Sequence, residues 1–78
     1  MRPVARDARL PREFGARVRS ARKAAGLSQD RLAELAGVHR TMVGHVERGE
    51  AMPTLGTIVR MAAALQVDPA ELVRGMKP

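Results

Sequence analysis

Apolar residues recur at helical spacing along most of the chain, and the stretches are separated by glycine, proline and good capping residues. From Pro11 to Ala25 they stand at Phe14, Val18, Ala21 and Ala25, spaced four, three and four, which is one face of a helix. Pro11 suits a first helical turn, where its missing N–H is no loss, and Gly26 supplies the stop. Ser28 is a good N-cap for a second helix, Gln29 to Ala36, with Leu32, Leu35 and Ala36 facing inward and Gly37 ending it. A third helix runs from Arg40 to Arg48, with Val43 and Val46 on one face and Gly49 as its stop. Pro53 punctuates the next loop, and Thr54 caps a fourth helix through Gln66. The stripe it buries is Leu55, Ile58, Ala62 and Leu65, with Met61 beside it. The fifth helix has the cleanest local signature. Asp68 caps, Pro69 takes the first helical position, Glu71 completes a capping box, and Val67 with Leu72 makes a hydrophobic staple. It ends by Gly75. No stretch alternates as a strand would, so the expected class is all-α.

Residues 1–10 carry Pro3, three arginines and no sustained periodicity, and read as a flexible basic N-terminal arm before one helical domain, residues 11–78. Seventy-eight residues make a small domain. A chain of this size buries only about 60% of its unfolded surface, and at roughly 70–80 residues scaffolds start to need staples or a partner subunit. With no cysteine, disulfides and thiolate metal sites are excluded, and nothing suggests an oxidising compartment. No apolar run approaches the ~20 residues of a membrane span, and there is no signal-peptide core. The expectation is a soluble, cytoplasmic chain.

Charge changes the picture through its placement. Lys and Arg number 14 against 8 Asp and Glu, a net +6. Residues 1–23 hold eight bases and two acids and carry all of that excess; residues 24–78 hold six of each sign. Such asymmetry points to a polyanionic partner, nucleic acid or an anionic membrane surface. Twelve of the bases are Arg, whose planar fork suits phosphate and guanine edges. The plainer reading is GC-rich coding and solvated surface charge. With no Trp or Tyr, there is no aromatic platform for single-stranded bases. Ser20 and Ser28 are the only serines, neither lies in a recognisable nucleophile elbow, and Ser28 is already a cap, so no enzyme is expected. His39 and His45 are six apart on one helix, on different faces, with no cysteine or close carboxylate pair to complete a metal site. No metal, cofactor or small-molecule ligand is expected.

Function is concentrated in residues 29–48. Two helices crossing at roughly 90–120° over a tight turn need a small residue at the crossing and a glycine in the turn. Ala33 and Gly37 meet those needs, while Leu32, Ala36, Val38, Val43 and Val46 pack the pair. His39, Arg40, Thr41, Gly44, His45 and Arg48 are then the exposed positions of the third helix, all polar, basic or small. This is the pattern of a helix-turn-helix; an antiparallel helix hairpin with no DNA role is the alternative.

The run GLSQDRLAELAGVHRTMVGHVERGEAMPTLGTIVRMAAALQVDPAEL resembles the lambda repressor/Cro-like (XRE) domain, from about Phe14 to Leu72. HRTMVGHVERG, with PTLGTI after it, looks most like the small controller proteins of restriction–modification systems. The resemblance implies a compact five-helix, lambda-repressor-like DNA-binding bundle. Its third helix would lie in the major groove of double-stranded DNA, and two subunits would share an inverted-repeat operator. Arg40 and Thr41 would then read base edges, Arg40 by forking onto guanine O6 and N7. Met42 and Gly44 stand where controller proteins usually carry an aromatic and a serine, so base preference does not transfer. Met42 is either a thymine-methyl contact or core filler. Gly44 allows close backbone approach to DNA or is a tolerated weak residue. His45, one turn beyond Thr41, faces the groove.

Gln29 matches the glutamine that holds a phosphate oxygen, helped by Ser28 and the N–H groups of the helix end, and Arg48 resembles a further phosphate or minor-groove contact. His39 is a poor N-cap; its functional alternative is a phosphate contact. Arg22 and Glu47 match a family ion pair that ties the first helix to the third. The arm enters the minor groove or tracks phosphates, or it is a disordered terminus. Asp30 and Glu34 either contact RNA polymerase or form a solvated face. Val59, Val73 and Met76 remain as exposed apolar candidates for a homodimer. An antitoxin-like or other protein-interaction module, with secondary DNA binding, is the competing function class.

Overall fold

The computed structural model describes residues 8–78 as five helices: α1 (Arg9–Ala24), α2 (Gln29–Ala36), α3 (Arg40–Glu47), α4 (Leu55–Leu65) and α5 (Pro69–Val73). No strand occurs among the described residues. α1 begins two residues before Pro11, which still falls in the first turn, where its missing N–H breaks no bond. The expected arm therefore ends before Arg9, and its residues 1–7 lie outside the described residues. α3 stops at Glu47 with Arg48 as its C-cap, and α4 stops at Leu65 because Gln66 turns left-handed, at φ 60°.

Capping follows local chemistry. Ser28 Oγ accepts from the Arg31 N–H at 3.0 Å, and Thr54 Oγ1 from that of Thr57 at 3.3 Å. Asp68 Oδ1 accepts from the Ala70 N–H at 2.8 Å. That bond goes to the second helical residue rather than the third, and the Glu71 half of the expected box is unmade. Thr54 also donates to the Thr57 hydroxyl at 3.1 Å, so its cap reaches a buried side chain. Thr54→Ala is expected to cost about 1–2 kcal/mol, the upper part of the range for lost caps. A lower urea midpoint at unchanged m-value is the reading that checks it.

The core joins Phe14 and Val18 of α1 to Leu32, Ala33 and Ala36 of α2, with Val43 and Val46 of α3 beside them. Ile58, Met61, Ala62 and Leu65 of α4 and Leu72 of α5 complete it. α3 packs on α1 and α2, α4 covers α2, and α5 closes against α4 and α1. Ala33 is buried at the crossing, and Gly37 turns the chain at φ 69°, a left-handed conformation that costs glycine nothing.

Two leucines expected inside are outside. Leu35 is 46% exposed, because Leu32, Ala33 and Ala36 hold the core face and Leu35 lies about 110° from its centre on a 3.6-residue wheel. Leu55 is 75% exposed. It opens α4, and Met52 and Pro53 of the preceding loop turn inward instead. At the α1–α3 contact, a Cβ on Gly15 would stand 2.1 Å from the Val46 carbonyl oxygen, so backbone meets backbone there.

Candidate nucleic-acid interface

The turn at Gly37 delivers α3 with its N-terminal end exposed. His39 occupies the N-cap, and its Nδ1 accepts from the Thr41 N–H at 3.1 Å. The ring does what a serine or aspartate oxygen would do there, which corrects the expectation of a poor cap. Arg40 is exposed, at 72% of its side chain, with Nη1 3.5 Å from Asp30 Oδ2 of α2. Gln29, Asp30, Arg40, Thr41, Gly44 and Arg48 line one shallow depression between the start of α2 and the outer face of α3.

The other expected contact positions divide. Met42 is half-buried and packs against the core, the filler role. Gly44 is buried rather than exposed, because the Arg48 guanidinium lies across it. His45 is exposed, and its Nδ1 stands 2.8 Å from Glu50 Oε1. Arg48 Nη2 reaches the same oxygen at 3.0 Å. The bonds from Arg48 and His45 hold the Glu50 carboxyl below the usual glutamate range. Glu50 belongs to no motif that the sequence displays. Its signal was position alone, one residue past the glycine that ends α3 and within reach of both basic side chains.

Behind this surface, Arg22 and Glu47 form a two-pronged pair. Nε donates to Oε2 at 2.6 Å and Nη2 to Oε1 at 2.9 Å. Side-chain exposure is 12% for Arg22 and 3% for Glu47. Two partners extend the pair. Arg22 Nη1 donates to the Leu27 carbonyl at 2.9 Å, and Gln29 Nε2 donates to Glu47 Oε1 at 3.1 Å. Burial pushes the Glu47 carboxyl up, but the bonds from Arg22 and Gln29, with the Arg22 charge, outweigh it and leave the group below its ordinary value. Glu47 thus fastens α3 to α1 and to the first residue of α2, and Arg22 ties the pair to the α1–α2 turn. Asp30 lies against Arg40, and Glu34 pairs with Arg31 on the same helix.

Among the described residues no group of three or more His, Asp or Glu side chains is arranged to hold a metal ion, and no helix is long and apolar enough to cross a membrane. The helix-turn-helix family HTH_3 matches residues 18–72. The control protein C.SmaI of Serratia marcescens is 45% identical over 62 residues, covering 77% of this chain and 74% of the relative. The crystal structure of the restriction-modification controller protein C.AhdI from Aeromonas hydrophila superposes with a TM-score of 0.78 at 47% identity, covering 80% of this chain and 94% of that one. The P22 c2 repressor, solved in complex with a synthetic operator, gives 0.74 at 30% identity, over 81% of this chain and 96% of its own. With its five helices, its α2–turn–α3 unit and these relatives, the chain belongs to the lambda repressor/Cro-like (XRE) helix-turn-helix family of DNA-binding transcription regulators and is similar to restriction–modification controller proteins.

Proposed function

We propose that this chain is a cytoplasmic, sequence-specific regulator that binds an inverted-repeat operator in double-stranded DNA as a homodimer, with α3 in the major groove. The observation that carries the reading is the pairing of an exposed, basic α3 N-terminus with a rear face fastened through Glu47. A reading helix needs both, since a base edge is recognised only from a fixed register. Arg40 and Thr41 take base edges, Arg40 by a two-pronged contact to guanine. His45, with Nδ1 donating to Glu50, offers Nε2 as an acceptor in its neutral form, suited to the amino group of adenine or cytosine.

Ser28, Gln29 and His39 flank a phosphate path at the α2 and α3 N-termini. With His39 Nδ1 accepting from Thr41, its neutral ring presents Nε2–H as a phosphate donor. Leu55, Val59 and Val73 leave apolar surface on α4 and α5 for a second subunit, which would set two α3 helices about 34 Å apart, one turn of DNA. Asp30 and Glu34 are each engaged within the chain, which gives a polymerase contact no separate support.

Arg40→Ala is expected to weaken cognate binding about tenfold to a hundredfold and to relax base preference at one position in each half-site. Fluorescence anisotropy against single-base variants of the site reads both effects. The operator comes from selection out of random duplex DNA at about 150 mM salt, where phosphate-only binding is weakened. An enriched inverted repeat with half-sites one turn apart supports the proposal. No motif, with binding lost steeply as salt rises, overturns it in favour of the interaction-module reading.

A further inference from the structure

Arg48 sits at the end of α3, where the family resemblance implies a phosphate or minor-groove contact. Its side chain does not hang from that end. It leans back toward the helix N-terminus, as long helical side chains do, until a Cβ built on Gly44 would be 3.0 Å from Nη1, 3.6 Å from Nη2 and 3.7 Å from Cζ. The guanidinium therefore rests one turn up the helix, in the depression it shares with Arg40, Thr41 and Gln29. Gly44 is what admits it, because any other residue would present a side chain at that point.

Glu50 then fixes the group in place, accepting from Nη2 at 3.0 Å. His45 Nδ1 also stands 3.4 Å from Nη2, but because the ionised carboxylate can only accept, Nδ1 carries its proton toward Glu50 at 2.8 Å and does not take the remaining Nη2 hydrogen. Nη1 has no bonded partner among the described residues, so both Nη atoms of the terminal edge still carry free hydrogens. A guanidinium already holding a carboxylate is a poor phosphate clamp, since Glu50 repels a second anion. A guanine edge is uncharged and offers two acceptors, O6 and N7, to such a fork.

We infer that Arg48 is a second base-reading arginine, laid over Gly44 toward a guanine edge, and that Glu50 is its positioning residue. The inference rests on α3 being the reading helix and assigns one more operator position to it. Gly44, in this account, reads nothing itself; its missing side chain is the seat of the Arg48 head.

The test is site selection from random duplex DNA with the wild type and with Arg48→Ala, Gly44→Ala and Glu50→Ala, followed by titration against single-base variants and by thermal melting. Arg48→Ala is expected to lose base preference at one position in each half-site, binding the selected site about tenfold to a hundredfold less tightly. The site already changed at that position should bind nearly as before. Gly44→Ala is expected to melt above wild type, since alanine favours the helix, and yet to lose preference at the same position. Added to Arg48→Ala, it should change nothing further there. Glu50→Ala is expected to weaken the same preference while binding unrelated DNA more tightly, a combination that loss of structure alone does not produce. A uniform loss across sequences in Arg48→Ala, with the salt slope reduced by about one, marks a phosphate clamp and overturns the inference while leaving the regulator reading intact. Unchanged preference in Gly44→Ala overturns it too. Failure of the wild type to enrich any motif instead overturns the regulator reading beneath it.

Discussion

Gly15→Ala is expected to be among the most damaging single substitutions in the domain, although it adds one methyl group to the middle of a helix. The added carbon would stand 2.1 Å from the Val46 carbonyl oxygen and 3.0 Å from that of Glu47, both backbone atoms of α3 with no rotamer to yield. α1 and α3 must separate. Overpacking of a tight core costs about 1–3 kcal/mol and sometimes more, and rigid backbone on the far side puts this case at the top of that range. Alanine's better helix propensity returns up to about 1 kcal/mol. For a domain of this length each net kcal/mol lowers the melting temperature by about 4–8 °C, so a fall of about 10–20 °C is expected. Gly56→Ala is the matched control, because nothing lies within 4 Å of its added carbon and the position is exposed. It should leave stability unchanged or raise it. Calorimetric melting of the two variants side by side decides the matter: equal shifts would mean that the α1–α3 contact is not as close as the geometry makes it.

Glu47→Ala is expected to cost more still. It strands the Arg22 guanidinium at 12% exposure with only the Leu27 carbonyl left to it, and it frees the Gln29 amide. Breaking a buried pair from one side typically costs about 3–5 kcal/mol, because the surviving charge stays desolvated. Folded domains as a class have only about 5–15 kcal/mol in hand. The variant should be substantially unfolded near 37 °C by circular dichroism. Arg22→Met combined with Glu47→Leu should recover most of the loss, since it removes both charges and keeps the volume. Failure of that double variant to recover would show that the bonds to Leu27 and Gln29, rather than the unpaired charge, carry the effect.

The same carboxylate sets an acid limit. Its folded-state pKa is depressed, so its contribution is complete above the ordinary glutamate value of about 4.3 and is lost as pH falls through the lower folded value. Wild-type stability should therefore decline in that window, and the Glu47→Ala protein should decline less.

Helices, caps and the turn were legible because they are local. Ser28, Thr54 and Gly37 act on their own neighbours, and the spacing of Phe14 and Val18 marks a face whatever it meets. The Arg22–Glu47 pair was legible only through family resemblance; no spacing argument joins residues 25 apart in sequence. Its partners Leu27 and Gln29 stayed hidden because they depend on how α1 and α2 cross behind α3. Gly15 reads in sequence as a weak helix former, and only the α1–α3 distance shows why a larger residue has no room. Gly44 misled in the opposite direction. On a helical wheel it faces out, and it is buried by a side chain from its own helix, which no wheel displays. The His39 cap is hidden in sequence because a ring nitrogen does not appear among the usual capping oxygens.

The knot at Glu47 also determines what DNA association must pay for. With α3 joined to α1, α2 and their turn before any ligand arrives, little conformational freedom remains to be lost from the helix itself. Only the exposed side chains need to order, at about 0.5–1.5 kcal/mol for each long one immobilised. Association in the proposed complex is then expected to be the docking of a preformed body, without the large heat-capacity signature of coupled folding. In the proposed complex, rigidity behind the helix would leave binding enthalpy free to report the bases in front of it.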